Sequence, residues 1–130
     1  MIFNVARIHH VSFLISDLDR AERFYCGTLG LHKVERPELG YPGLWLQINQ
    51  EQQIHLMQLP NPDAGRQPPP HGGRDRHIAL HVQGLDELAK ELDALGWEYT
   101  LSRSGRKALF CRDTDGNALE FIQQDETQSS

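Results

Sequence analysis

Residues 9–31, HHVSFLISDLDRAERFYCGTLGL, can be laid over residues 76–97, RHIALHVQGLDELAKELDALGW, and this internal repeat restricts the possible folds more than any other feature of the chain. With His10 placed on His77, Leu18-Asp19 falls eight residues after the first histidine and Leu85-Asp86 eight residues after the second. A Leu-Gly pair closes both copies, Leu29-Gly30 and Leu95-Gly96. Each copy reads as a strand of alternating character, a polar turn, an amphipathic helix and a glycine stop. The first helix has Ser16 or Asp17 as N-cap, an apolar stripe of Leu18, Ala21, Phe24, Tyr25 and Leu29, and Gly30 as its end signal. The second repeats the stripe with Leu85, Leu88, Leu92 and Leu95. Three short strand candidates follow each helix: HKVER, GLWLQI and QIHLMQL in the first copy, EYTL, KALFCR and ALEFI in the second. The order β-α-β-β-β, read twice, predicts an α+β fold of two tandem modules, about 6–60 and 76–125, with curled mixed sheets and the helices outside.

Between the copies runs PNPDAGRQPPPHGGRD, residues 60–75, which holds five of the seven prolines and three of the eleven glycines and so reads as a linker or surface loop. The polar stretch 124–130 is expected to fray. A chain of 130 residues is one domain by size, 1–125 without the tail, and buries enough surface to fold without a disulfide or a structural metal. Any metal site is therefore expected to be functional. Cys26 and Cys111 lie far apart with no CxxC spacing, which leaves a thiolate zinc site or a disulfide framework without support. Thirteen Lys and Arg against eighteen Asp and Glu give a net charge of -5, and the basic residues are scattered, so nucleic acid and anionic membranes are not expected partners. The N-terminus meets polar residues too early for a secretory core, and no apolar run approaches the roughly 20 residues that span a bilayer. A cytoplasmic protein is expected.

Seven histidines remain to be explained, several of them inside apolar strands. Side chains alternate faces along a strand. Val11, Phe13 and Ile15 form the face on which a helix packs, and His10, Ser12 and Leu14 the opposite one; Ile78, Leu80 and Val82 oppose His77, Ala79 and His81 in the same way. In the last strand of each module His55 shares a face with Met57, and Glu120 with Ile122. If each sheet curls with its helix outside, the concave faces carry His10, His55, His77 and Glu120. Each copy gives one residue from its first strand and one from its last, spaced 45 and 43 residues apart. Three imidazoles and a carboxylate suit a divalent transition metal, since imidazole serves zinc, iron and nickel and an oxygen donor extends the range to manganese. Taken singly, each histidine is more commonly a half-buried packing residue; the symmetry of the positions favours the ligand reading.

These residues resemble the vicinal oxygen chelate superfamily, the group of glyoxalase I, fosfomycin-resistance, bleomycin-resistance and extradiol dioxygenase proteins. The carriers are IHHVSFLISDLDRAERFYCGTLGL, then RHIALHV followed by LDELAKELDALG, and CRDTDGNALEF, so the resemblance covers about Arg7 to Ile122. Thr114 stands where the family usually has a proline in a D-P-D-G-N turn. The resemblance implies two βαβββ modules that usually complete their metal clefts in a homodimer, one ion of zinc, nickel, iron, manganese or cobalt, and ligands at His10, His55, His77 and Glu120. His55 departs from the pattern: glyoxalase I carries a carboxylate there and the epimerase branch an amide. It is either a ligand or an acid-base residue.

The resemblance implies a metal-dependent glyoxalase-I-like lyase or isomerase whose small substrate is chelated through neighbouring oxygens, with Glu120 and His55 as the proton-handling groups. The alternatives are an iron-dependent extradiol-type dioxygenase, a fosfomycin-type thiol transferase, and, in a different class, a non-enzymatic drug binder of the bleomycin-resistance kind. Candidate substrate residues are His81, two positions beyond His77 on the same face; Trp45, which either lines the cleft or packs in the core; and Arg103, in the basic loop SRSGRK with Arg106 and Lys107. His9 and His71 are expected to be structural or solvated.

Overall fold

The computed structural model describes residues 2–125, which leaves 126–130 of the polar tail outside the described residues. The chain divides into two compact units between Pro62 and Asp63. In the first, β1 (His10–Ile15) leads into a helix, α1 (Leu18–Glu22), that continues as a wider turn over Arg23–Thr28, followed by β2 (His32–Val34), β3 (Gly43–Gln47) and β4 (Gln53–Gln58). In the second, β5 (His77–Val82) leads into α2 (Leu85–Ala94), then β6 (Tyr99–Leu101), β7 (Ala108–Arg112) and β8 (Ala118–Gln123). Each unit holds one four-stranded mixed sheet, ordered β1-β4-β3-β2 and β5-β8-β7-β6. The first strand pairs with the last in parallel, and the remaining pairs are antiparallel. All the strands and both helices expected from the sequence form.

Register explains why each sheet has one apolar and one histidine-bearing face. Val11 and Phe13 sit opposite Ile54 and Leu56, which sit opposite Leu46 and Leu44. Ile78 and Leu80 sit opposite Leu119 and Phe121, which sit opposite Cys111 and Leu109. Against these faces pack Ala21, Phe24 and Tyr25 of the first helical segment and Leu85 and Leu92 of α2, all buried. Each fully buried large side chain of this kind stabilises the fold by roughly 1.5–3 kcal/mol.

The helix ends show what local spacing does and does not predict. Asp17 is the N-cap of α1 and its carboxylate accepts from the Arg20 N–H at 3.1 Å. At the matching position of α2 stands Gly84, at φ 85°, with no side chain to cap. A second cap, shared by both modules, comes from the last strand: the first helical N–H, of Leu18 or Leu85, donates at 2.9 Å to Oε1 of Gln58 or Gln123. Those glutamines lie opposite Ile15 and Val82, at the strand ends that feed the helices. At the other end of α2, Gly96 takes φ 68°, and Trp97 N–H and Gly96 N–H donate back to Leu92 and Asp93 carbonyls, closing a Schellman turn. The first helix departs from expectation. Leu29 N–H donates to the Phe24 carbonyl, five residues back, so the last turns are wound more widely than an α-helix. The extra residue within the hydrogen-bonded turn matches the five-residue step from Phe24 to Leu29 in the apolar stripe.

Candidate functional site

In the second unit β5, β7 and β8 place His77, Phe110 and Glu120 on one face, because Phe110 and Ala79 are the register partners of Glu120. His77 Nε2 lies 3.3 Å from Glu120 Oε1, and the Glu120 side chain is only 3% exposed. Phe110 meets the His77 ring edge to face, with centroids 5.3 Å apart. The other imidazole nitrogen of His77, Nδ1, is 2.9 Å from the Asp75 carbonyl oxygen, which can only accept. Nδ1 therefore carries the proton in the neutral ring, and Nε2 turns a lone pair toward the carboxylate. Glu120 Oε2 in turn accepts from Arg106 Nη2 at 3.3 Å.

Asp75 is held by a partly exposed ion-pair network that joins residues 66–75 to the β7–β8 hairpin. Its Oδ2 accepts from Arg66 Nη2 at 2.6 Å and from Arg112 Nη1 at 2.7 Å, and its Oδ1 from the Arg76 N–H at 2.9 Å. Arg112 also donates to the Gly116 and Pro69 carbonyls. The Arg66 hydrogen bond, then those of Arg112 and the Arg76 amide, hold the Asp75 carboxyl well below the usual carboxylate range. The segment DTDGN is a β-hairpin turn, as its spacing predicts: Asp113 Oδ1 accepts from the Asp115 and Asn117 amides at 2.9 Å each, and Gly116 takes φ 83°.

The first unit repeats this plan with other chemistry. His55 lies opposite Ser12 and Trp45, the register places that Glu120, Ala79 and Phe110 fill in the second unit. His55 is sandwiched between two rings, stacked on Trp45 at 4.3 Å and on His10 at 3.9 Å between centroids. His10 Nδ1 is 2.8 Å from His9 Nδ1, and His55 Nε2 is 2.8 Å from Gln53 Oε1. Burial, and after it the charges of His10, His9 and Arg36, push the His55 imidazole down to about 4. A base with a lowered folded pKa stabilises the fold fully above its unfolded value, near 6.5, and that stability is lost as the pH falls from 6.5 toward 4, where the unfolded chain takes up the proton first. Thermal unfolding of the metal-stripped protein is therefore expected to show Tm falling across this window, and His55→Gln is expected to flatten the fall; an unchanged profile in the variant would overturn the assignment.

The expected site residues are thus found in two pairs, His10 with His55 and His77 with Glu120. Among the described residues, no three His, Cys, Asp or Glu side chains form a group able to hold a metal ion. Trp45 lies on the histidine-bearing face, not in the core beneath the sheet, which Leu44 and Leu46 line. His81 is exposed on the same face as His77, opposite Ile122. In the basic loop it is Arg106 that reaches the buried carboxylate, whereas Arg103 is exposed and Lys107 pairs with Asp86. His9 contacts His10, and His71 caps a short 3-10 turn, Gly72–Arg74, by accepting from the Gly73 N–H at 2.9 Å. Cys26 and Cys111 are free thiols, and burial raises both pKa values, that of Cys111 to about 12, so neither is a poised nucleophile. Gln47, Gln53 and Asp75 were not singled out by sequence reasoning; the one available signal was the exposed-face position of Gln53, two residues before His55.

Two βαβββ units with a histidine at the head of the first strand and a second donor in the last strand define a two-module α+β protein of the glyoxalase type. Residues 7–121 match the Glyoxalase/Bleomycin resistance protein/Dioxygenase superfamily, and the chain belongs to it. The uncharacterised protein YwkD of Bacillus subtilis is 32% identical over 124 residues, covering 90% of this chain and 96% of that one. The human mitochondrial methylmalonyl-CoA epimerase is 25% identical, over 95% of this chain and 76% of its own length. The crystal structure of a protein assigned to the glyoxalase family, from Bacillus anthracis, superposes with a TM-score of 0.77 at 25% identity, covering 96% of this chain and all of that one.

Proposed function

We propose that the chain is a divalent-metal-dependent lyase or isomerase acting on a small substrate that presents two neighbouring oxygens. The observation that carries this reading is the pairing of His77 Nε2 with Glu120 Oε1 at 3.3 Å while His77 Nδ1 is anchored on the Asp75 carbonyl. A backbone carbonyl on the outer nitrogen is how ligating histidines are commonly oriented. The donor types suit such an ion: His10, His55 and His77 would offer imidazole nitrogens and Glu120 the one anionic oxygen. Bound by these residues, a divalent transition ion supplies Lewis acidity toward substrate oxygens.

The chain's own groups divide the remaining tasks. Glu120, almost fully buried, is the carboxylate placed to hold or pass a proton, and His55, uncharged near neutral pH, is a second acceptor. Arg106, whose side chain is 59% exposed yet touches Glu120, can bind an acidic group of the substrate together with the exposed Arg103 of the same loop. Trp45 offers an apolar wall beside His55, and His81 lies further along the face of His77. An epimerase among the relatives is in keeping with an isomerase. A homodimer, the assembly the family resemblance implies, is the working state in this reading. No helix among the described residues is long and apolar enough to cross a membrane, and the free thiols suit the cytoplasm.

Native mass spectrometry of protein expressed with nickel, zinc, manganese or iron(II), followed by assays with methylglyoxal plus glutathione and with methylmalonyl-CoA, tests the whole reading. One divalent ion per chain in a dimer, with turnover of either substrate, is the expected result. A metal-free monomer silent with both would retire it in favour of a metal-free binder.

A further inference from the structure

A row of side-chain amides runs along the histidine-bearing face of the first unit and ends on His55. Gln47 Nε2 donates to the Asn49 carbonyl oxygen, Gln53 Nε2 donates to Gln47 Oε1 at 2.9 Å, and Gln53 Oε1 faces His55 Nε2 at 2.8 Å. The direction of this chain is forced from its far end. A backbone carbonyl has no proton to give, so the atom of Gln47 that meets Asn49 must be the amide nitrogen. Gln47 then presents oxygen to Gln53, so Gln53 must meet it with nitrogen and present oxygen to the ring. An amide oxygen beside an imidazole nitrogen requires a proton on that nitrogen. The anchor is itself fixed, because Asn49 Oδ1 accepts from the Glu51 and Gln52 amides at 2.8 Å and so pins the β3–β4 turn. Gln47 and Gln53 are register partners on adjacent strands, which keeps the middle link short.

We propose that Gln47 and Gln53 are positioning residues that lock His55 as the Nε2–H tautomer, leaving Nδ1 as the nitrogen free to take a metal ion or a substrate proton. His10 and His77 are held the opposite way. In His77 the Asp75 carbonyl takes the proton of Nδ1, so Nε2 is the lone-pair nitrogen and faces Glu120; in His10 it is again Nδ1 that is engaged, by His9 Nδ1, which leaves Nε2 turned to the open face. One of the three imidazoles therefore offers the other ring nitrogen, and the cause is two glutamines of the first unit. The second unit has no counterpart for this row, since the register places of Gln53 and Gln47 are filled there by Ala118 and Arg112. The relay thus belongs to the module that carries histidine where the other carries Glu120.

The tautomer is independent of the proposed function; only its use as a ligand rests on that reading. Long-range proton–nitrogen correlation spectra of the metal-free full chain, labelled with 15N and recorded at pH 7.5, are expected to show His55 with a pyrrole-type Nε2 and a pyridine-type Nδ1 in one tautomer. In Gln53→Met the two nitrogen shifts are expected to move toward each other as the tautomers mix, while the backbone amide spectrum elsewhere stays in place. Added zinc is expected to shift Nδ1 of His55 but Nε2 of His10 and His77, and Gln53→Met to weaken zinc binding about tenfold in a chelator competition, the low end for loss of a group that orients a ligand. A protonated Nδ1 on His55 in the wild type, or shifts that do not move in Gln53→Met, overturn the proposal. If the tautomer results hold and zinc leaves both His55 nitrogens untouched, the relay stands and it is the assignment of His55 as a ligand that falls.

Discussion

Glu120→Gln is expected to abolish stoichiometric metal binding and to lower turnover of any substrate found for the protein by at least a hundredfold, the lower range for loss of a positioned acid-base group. The substitution is close to isosteric, so packing against His77 and Phe110 is preserved and only charge and basicity change. Glu120 is the one anionic member of the donor set, and its removal makes the site more positive by one unit, with Arg106 still 3.3 Å from where the carboxylate oxygen lay. The loss of metal affinity should exceed the ten- to hundredfold that removal of an outer partner causes. Elemental analysis after dialysis and a chelator competition measure the first effect, and steady-state rates the second. Thermal unfolding in excess chelator is the control. A variant that melts far below metal-free wild type would mean that Glu120 holds the fold together and is not a ligand.

Asp75→Ala is expected to lower the stability of the metal-free protein by about 2–3 kcal/mol, a shift in Tm of roughly 10 °C. The reason is the set of charges left behind. Asp75 is 6% exposed and is the shared acceptor for Arg66 and Arg112, which are 35% and 23% exposed. Removing the shared acceptor leaves both guanidinium charges without it, at little cost for the exposed Arg66 and at more for the half-buried Arg112. Arg112 keeps the Gly116 and Pro69 carbonyls, which places the cost at the lower end of that range. The sign of the pH dependence gives a second check. A carboxyl held below its ordinary value stabilises the fold above about pH 4 and ceases to as the pH falls below it, so wild type and variant should converge in acid. This window lies below the one set by His55, so the two effects can be read from one series of melting curves. A Tm within 3 °C of wild type at pH 7 would show that the network contributes little.

Both predictions turn on the difference between what neighbouring residues encode and what folding brings together. The amino-acid sequence by itself determined the two βαβββ modules, because apolar residues three and four apart in Leu85, Leu88 and Leu92, and two apart in Val11, Phe13 and Ile15, are local periods that survive without knowledge of any partner. The same alternation placed His10, His77, His55 and Glu120 on the face opposite the helix, and the repeat made their symmetry visible. Even the β7–β8 turn was legible, since Asp113 satisfies amides only two and four residues away.

Tertiary structure decided the rest. Asp75 with Arg66 and Arg112, Arg106 with Glu120, and Gln58 and Gln123 at the helix starts are side-chain contacts across 9 to 40 residues, and polar residues of these types have many equivalent partners in a sequence. The amide row ending on His55 depends on strand register, which sets Gln47 beside Gln53, and on a backbone carbonyl in a turn. Hydrophobic periodicity reports which way a residue faces; it carries no information on which hydrogen-bond partner waits there, because a polar atom's choice of partner is fixed only when distant strands are hydrogen-bonded side by side.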